Sequence, residues 1–242
     1  MNSDIELVIF DMDGVIFDTE RLAISAWQAA GARHGYDIPR DVVVNTVGLS
    51  PQDAQPVFVN HFGSRFPFET ILAERRRISK KQAETDGVPV KDGVREILGL
   101  LKNAGKKIAV ATSTERPRTV DLLSMAGITG YFTTIVCGDE VILRKPAPDL
   151  FLAAARKTNT APERCLVIED SDVGIMAAKA AGMRAVFVPD MKQLDPVVGK
   201  LVDYQIESLR GLPSLISLNV SSSSHSELRN PAEFSETIDD ER

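Results

Sequence analysis

Asp11-Met12-Asp13-Gly14-Val15 closes the apolar run Leu7-Val8-Ile9-Phe10. Two carboxylates two residues apart, at the exit of a buried strand, can point to one side and meet one ligand. Gly14 lets the backbone turn close to that ligand with no side chain in the way. Carboxylates repel one another, so such a pair calls for a cation, a shared proton or both. The chemistry this suits is Mg²⁺-assisted phosphoryl transfer through an aspartyl phosphate. The same D-x-D-G string also begins calcium loops and ordinary turns, so alone it does not decide the matter.

Three further groups follow apolar runs. In Ala111-Thr112-Ser113-Thr114, Thr112 and Ser113 offer hydroxyls and backbone N–H groups to phosphate oxygens, just before a helix that begins near Arg116. Ser and Thr in such places also serve as plain helix caps. Lys145 stands in Arg144-Lys145-Pro146-Ala147-Pro148-Asp149, where two prolines restrict the backbone. A lysine held there could neutralise a phosphoryl group and an attacking carboxylate; the plainer alternative is a solvated lysine, with Asp149 capping the next helix. In Val167-Ile168-Glu169-Asp170-Ser171, Glu169 and Asp170 could complete an oxygen-rich Mg²⁺ site with Asp11 and the carbonyl of Asp13. Helix capping by Asp170 or Ser171 is the alternative there. Each group is ambiguous by itself, but all four close predicted strands, and that coincidence favours one catalytic site.

The elements that must bring these groups together are an alternation of strands and helices. Apolar runs predict strands over Leu7–Phe10, Ile108–Ala111, Thr134–Cys137, Leu166–Ile168, Ala185–Val188 and Tyr204–Ile206, with helices between them over Val94–Asn103, Arg116–Met125, Leu150–Thr158 and Val173–Ala180. Such alternation implies the α/β class: a doubly wound parallel sheet, helices on both faces, and functional groups at the strands' C-terminal ends. The first crossover is far longer than the dozen or so residues it needs. Helical stretches around Arg21–His34 and Phe68–Ala83, with breakers at Pro39, Gly48–Pro51 and Pro67, make residues 18–88 an inserted α-helical cap. The α/β core is then 1–17 and 89–215. The cap's hinges are expected at Asp18–Glu20 and Asp86–Pro89, and Glu20 and Arg21 lie near the first, so Glu20 is a candidate substrate contact.

Composition narrows the class. The chain has 242 residues, 43% hydrophobic, and only Cys137 and Cys165 as cysteines, both beside apolar runs where small buried hydrophobes are expected. No apolar stretch approaches a membrane span, and residues 1–6 lack a secretory pattern, so the expected location is cytoplasmic. The net charge is −6, but residues 219–242 hold six acids and two bases, so little net charge is left for the rest. Neither a nucleic-acid surface nor a membrane partner is expected, and a monomer is the default. Residues 216–242, with Ser221–Ser224, read as a disordered acidic, Ser-rich tail.

Taken as a set, Asp11–Val15, Thr112, Lys145–Asp149 and Glu169–Ser171 resemble the four motifs of haloacid dehalogenase superfamily phosphatases. The branch is the one that includes β-phosphoglucomutase and many sugar-phosphate phosphatases. The resemblance covers about residues 5–210. It implies Asp11 as nucleophile and Asp13 as the acid that protonates the departing oxygen and then accepts a proton from water. It implies Mg²⁺ held by Asp11, the Asp13 carbonyl and Asp170, with Glu169 a lesser ligand. Thr112 would bind a phosphoryl oxygen, with Gly14 and Ser113 beside it, and Lys145 would balance charge. The substrate would be a small phosphorylated metabolite, first of all a sugar phosphate.

The nearest rival is a sugar phosphomutase. The resembling mutases carry a histidine near the cap hinge, where this chain has Ala23, and a cap arginine after a Gly-x-Ser turn, where it has Pro51. A dehalogenase would lack the acid at Asp13. A phosphoryl-accepting receiver domain would be short and uninterrupted. Arg75-Arg76-Arg77 with Lys80-Lys81 is expected to be a solvated face of the cap, and Trp27 a packing residue.

Overall fold

The computed structural model describes residues 5–46, 49–216 and 228–229; of Glu20, Leu228 and Arg229 only the backbone is described. Six strands, β1 (Leu7–Phe10), β2 (Lys107–Ala111), β3 (Thr134–Val136), β4 (Cys165–Glu169), β5 (Arg184–Phe187) and β6 (Tyr204–Ile206), run parallel in the order β3-β2-β1-β4-β5-β6. A two-residue β7 (Leu228–Arg229) adds antiparallel to β6. This is an exception to the expected disorder of 216–242. So is Ile216, whose apolar side chain is buried in the sheet core rather than in a tail. The other tail residues lie outside the described ones.

The period-two alternation of β1 divides the core. Val8 and Phe10 face one way with Val110, Ile168 and Val186, against Val94, Ile97, Leu98 and Leu101 of a following helix. Leu7 and Ile9 face the other way with Ala109, Val167 and Ala185, against Leu150, Phe151, Ile175 and Ala178. Strands buried on both faces need continuous apolar sequence, which is why the strand runs were legible.

Four helices intervene between β1 and β2 before that layer begins: α1 (Thr19–Arg33), α2 (Arg40–Val44), α3 (Pro51–Phe62) and α4 (Phe68–Asp86). They are followed by α5 (Val94–Asn103), α6 (Arg116–Met125), α7 (Asp149–Lys157) and α8 (Asp172–Ala180). The insertion has its own aromatic core. Trp27 lies 4.4 Å from Phe58 and 5.7 Å from Phe68 by ring centroids, and Ile71 is fully buried among them. At about 2–3 kcal/mol for each such side chain buried, this is enough apolar surface to fix the helices against one another.

Helix α3 departs from the sequence expectation, which treated Pro51 as a breaker. Pro51 is instead the first helical residue, where its missing N–H costs nothing. Ser50 caps it, its Oγ accepting the Asp53 N–H at 3.3 Å.

The two ends of the insertion are tied side by side. Asp18 N–H donates to the Pro89 carbonyl and Lys91 N–H to the Ile16 carbonyl, each at 2.9 Å, while Phe17 bridges Val90. Asp190, from the loop after β5, accepts Lys91 at 2.7 Å and Arg21 at 3.2 Å. No described helix is long and apolar enough to cross a membrane.

Candidate active site

Register sets the site. Phe10 pairs with Val110 on one side and Ile168 on the other, so the residues just beyond β1, β2 and β4 emerge abreast. Asp11 N–H donates to the Ile168 carbonyl and Thr112 N–H to the Val136 carbonyl, both at 3.0 Å, which holds these exits in line with the sheet. The crevice at this point of a doubly wound sheet is where ligands bind.

Lys145 is the centre of the buried charge. Its ammonium donates to Asp11 Oδ1 and to Glu169 Oε1, each at 2.6 Å, and lies 5.0 Å from the centroid of the Phe151 ring. Burial works against its charge, but the two carboxylates outweigh burial and hold its pKa above the ordinary lysine value. Burial pushes Asp11 up to about 8; Lys145 pulls it down, while Glu169 and Asp13 push it further up.

Glu169 is fully buried and heavily used. Besides Lys145, it accepts at Oε2 from Asp170 N–H at 3.0 Å, Ser171 N–H at 3.1 Å and Ser171 Oγ at 2.9 Å. Ser171 in turn accepts the Gly174 N–H at 3.2 Å, capping α8. A Cβ at Gly174 would lie 1.9 Å from the Glu169 carboxylate, so only glycine leaves room for it.

Carboxylate oxygens of Asp11, Glu169 and Asp170 lie within 4.8 Å of one another, all buried. One lysine does not neutralise three carboxylates, and an all-oxygen donor set suits a hard divalent cation. Gly14 makes the approach of Asp170 possible: its φ is +85°, and a Cβ there would stand 2.0 Å from Asp170 Oδ2.

Asp13 is held by two hydroxyls. Thr19 Oγ1 donates to its Oδ1 at 2.5 Å and Thr114 Oγ1 to its Oδ2 at 2.7 Å. Thr112 is buried; its Oγ1 accepts the Thr114 N–H at 3.1 Å, which leaves its own hydrogen to donate. Ser171 caps α8, as one sequence alternative had it, but the roles of Thr19, Thr114 and Gly174 were missed. Thr114 stood in the hydroxyl run and Thr19 within the expected hinge, but neither spacing says which carboxylate oxygen a hydroxyl will reach.

A cavity of about 300 Å³ opens over these groups, between the sheet and the helical insertion. Asp11, Asp13, Thr112, Ser113 and Lys145 line it, with Ala23, Trp27 and Phe68 from the insertion. Trp27 therefore packs and also faces the cavity. Of the expected solvated run, Arg75 and Arg76 line the cavity, whereas Arg77 is engaged by Glu74 at 3.0 Å. Glu20 lies in α1, and its side chain is outside the described structure.

Residues 8–188 match the haloacid dehalogenase-like hydrolase family, and the chain belongs to it. The chain is 32% identical over 182 residues to the phosphorylated carbohydrates phosphatase of Thermotoga maritima, spanning 75% of this chain and 84% of that protein. It is 36% identical over 188 residues to the fructose-1-phosphate phosphatase YqaB of Escherichia coli, spanning 75% of this chain and 95% of that protein. Among solved structures, CbbY of Rhodobacter sphaeroides in complex with phosphate superposes with a TM-score of 0.75 at 27% identity, covering 89% of this chain and all of that one.

Proposed function

We propose that this chain is a Mg²⁺-dependent phosphatase that hydrolyses a small phosphomonoester, first of all a sugar phosphate, through an aspartyl phosphate on Asp11. The observation that carries the reading is the Lys145 ammonium 2.6 Å from both Asp11 and Glu169, beneath a cavity that Asp13 and Thr112 also line. The phosphatases named among the relatives support the same class of reaction.

Asp11 attacks phosphorus, forming a P–O bond to its carboxylate as the bond to the leaving oxygen breaks. Asp13, oriented by Thr19 and Thr114, gives that oxygen its proton. It then takes a proton from the water that attacks the aspartyl phosphate, releasing inorganic phosphate and free Asp11. Lys145 offsets charge on Asp11 as it is transferred and regenerated, and Thr112 donates to a phosphoryl oxygen. Mg²⁺ would be held by Asp11, Asp170 and the Asp13 carbonyl, and when bound it supplies neutralisation of the phosphoryl oxygens. Because its oxygens are engaged by Lys145 and the β4–α8 turn, we assign Glu169 to positioning Lys145 and Asp170 rather than to direct ligation. Fixed donors of this kind account for most of the rate in phosphoryl transfer.

Water as the acceptor is supported by the wall of the insertion. Ala23 lines the cavity where the resembling mutases carry histidine, so it brings no acid–base group to the second half of a transfer. The test is ³¹P NMR with Mg²⁺ and a panel of sugar phosphates that includes β-glucose 1-phosphate with a trace of the 1,6-bisphosphate. Growth of inorganic phosphate, absent with Asp11→Asn, is expected. A new phosphomonoester resonance with little free phosphate would make the protein a mutase.

A further inference from the structure

Four arginines enter the wall of the cavity: Arg75 and Arg76 from α4, Arg118 from α6, and Arg144 from the loop before Lys145. None is needed for the phosphoryl group that is transferred, which Lys145 and Thr112 already serve. Other basic side chains nearby turn elsewhere. Arg77 pairs with Glu74, Lys80 with Glu84, and Arg116 with Glu140.

Little opposes the charge of Arg76, Arg118 and Arg144. Apart from Asp11 and Asp13, Glu115 is the one acid of the lining among the described residues. Glu115 reaches Arg76 at 3.6 Å with both side chains about half exposed, a pair of small worth. Arg144 donates to the neutral amide oxygen of Gln52 at 2.6 Å, which satisfies a hydrogen bond but cancels no charge. Arg118 has no ion-pair or hydrogen-bond partner among the described residues. Beyond Asp11 and Asp13, the described side chains of this concave wall are several guanidiniums and one weakly placed acid, a positive potential that favours an anion.

The rest of the chamber offers a sugar's hydroxyls little. Trp27, Val43, Leu49, Ala54, Phe68 and Leu72 are apolar, the hydroxyls of Thr19 and Thr114 are given to Asp13, and that of Thr46 goes to the Val43 carbonyl, so Ser113 is the main neutral donor left. At about 300 Å³ the space suits a compact ligand. We propose that the leaving group of the preferred substrate carries a second anionic group, a carboxylate or a second phosphate, bound by these arginines. The inference rests on the phosphatase reading and narrows its substrate class.

The experiment compares matched esters with Mg²⁺ by phosphate release: fructose 1-phosphate against fructose 1,6-bisphosphate, and glycerol 3-phosphate against 3-phosphoglycerate. In at least one pair the member with the second anion should have a kcat/KM higher by about tenfold or more, the size of one charge-assisted contact. Arg118→Gln and Arg144→Gln should each shrink that ratio through KM, as should added salt. The pair that shows the effect says whether the anion is carboxylate or phosphate. Release from the esters with no preference for the second anion, or a preference untouched by both variants, would overturn this inference alone. No release from any ester would overturn it together with the phosphatase reading.

Discussion

Thr19 and Asp13 are joined across the first hinge: Thr19 Oγ1, in the first residue of α1, donates to Asp13 Oδ1 at 2.5 Å. The proposed acid–base carboxylate at the end of the sheet is thus oriented partly by the helical insertion that roofs the cavity. Thr114 supplies the second hydroxyl from the β2 side.

Thr114→Val keeps the shape and removes that donor. Loss of one hydrogen bond to a charged group is worth about 2 kcal/mol, so kcat should fall by a factor of about 10–30 with KM little changed. Steady-state kinetics with an unchanged circular dichroism spectrum would check this. A change confined to KM would place Thr114 in ground-state binding instead.

Glu169→Gln should cost stability as well as activity. The substitution leaves Lys145 with one carboxylate and puts an amide among backbone donors that now face Glu169 Oε2. Breaking a buried pair in this way costs about 3–5 kcal/mol, which urea denaturation would register as a clearly lowered midpoint. A midpoint equal to wild type would mean that Glu169 does not organise the site.

Gly14→Ala tests the approach of Asp170. Strain at a φ of +85° and a Cβ 2.0 Å from Asp170 Oδ2 both oppose it. Mg²⁺ affinity, measured by calorimetry on the folded variant, should fall at least tenfold, about 1.4 kcal/mol. Unchanged affinity would remove Asp170 from the proposed ligands.

Asp11 gives the metal-free fold a pH dependence. Its pKa in the fold, about 8, lies above the ordinary 3.8 because of burial, so the fold holds a proton that the unfolded chain has released. Its contribution to stability is therefore complete below about pH 3.8 and is lost as pH rises toward 8. In chelator, Tm of the wild type should fall between pH 5 and pH 8 more than Tm of Asp11→Asn. Parallel declines would contradict this.

Much of this arrangement was legible because several constraints act on few residues. Strands buried on both faces must be continuously apolar, and a chain that turns sharply around charge shows glycine and proline, as at Gly14 and Pro146. The strands could therefore be read in advance, and with them the expectation that the loops carrying Asp11, Thr112, Lys145 and Asp170 lie at one end of the sheet. Helix α3 could not, because proline marks a helix start as readily as a break and the two differ only in backbone context. The partners of Glu169 were hidden for a related reason. A carboxylate beside an acidic neighbour reads as a ligand, while the lysine that claims it stands 24 positions away in sequence. The inward turn of Arg75 and Arg76, against the outward turn of Arg77, depends on how α4 is rotated over the sheet.

The central claim is a covalent phosphoryl intermediate on Asp11, and its most direct test is chemical trapping. The wild-type protein would be mixed with Mg²⁺ and a hydrolysed ester, quenched in acid during turnover, reduced with borohydride and mapped by mass spectrometry. Reduction of an acyl phosphate at position 11, absent without substrate and absent from Asp11→Asn, is the predicted result. Turnover with position 11 unmodified at every quench time, and reduction at another carboxylate, would contradict the account.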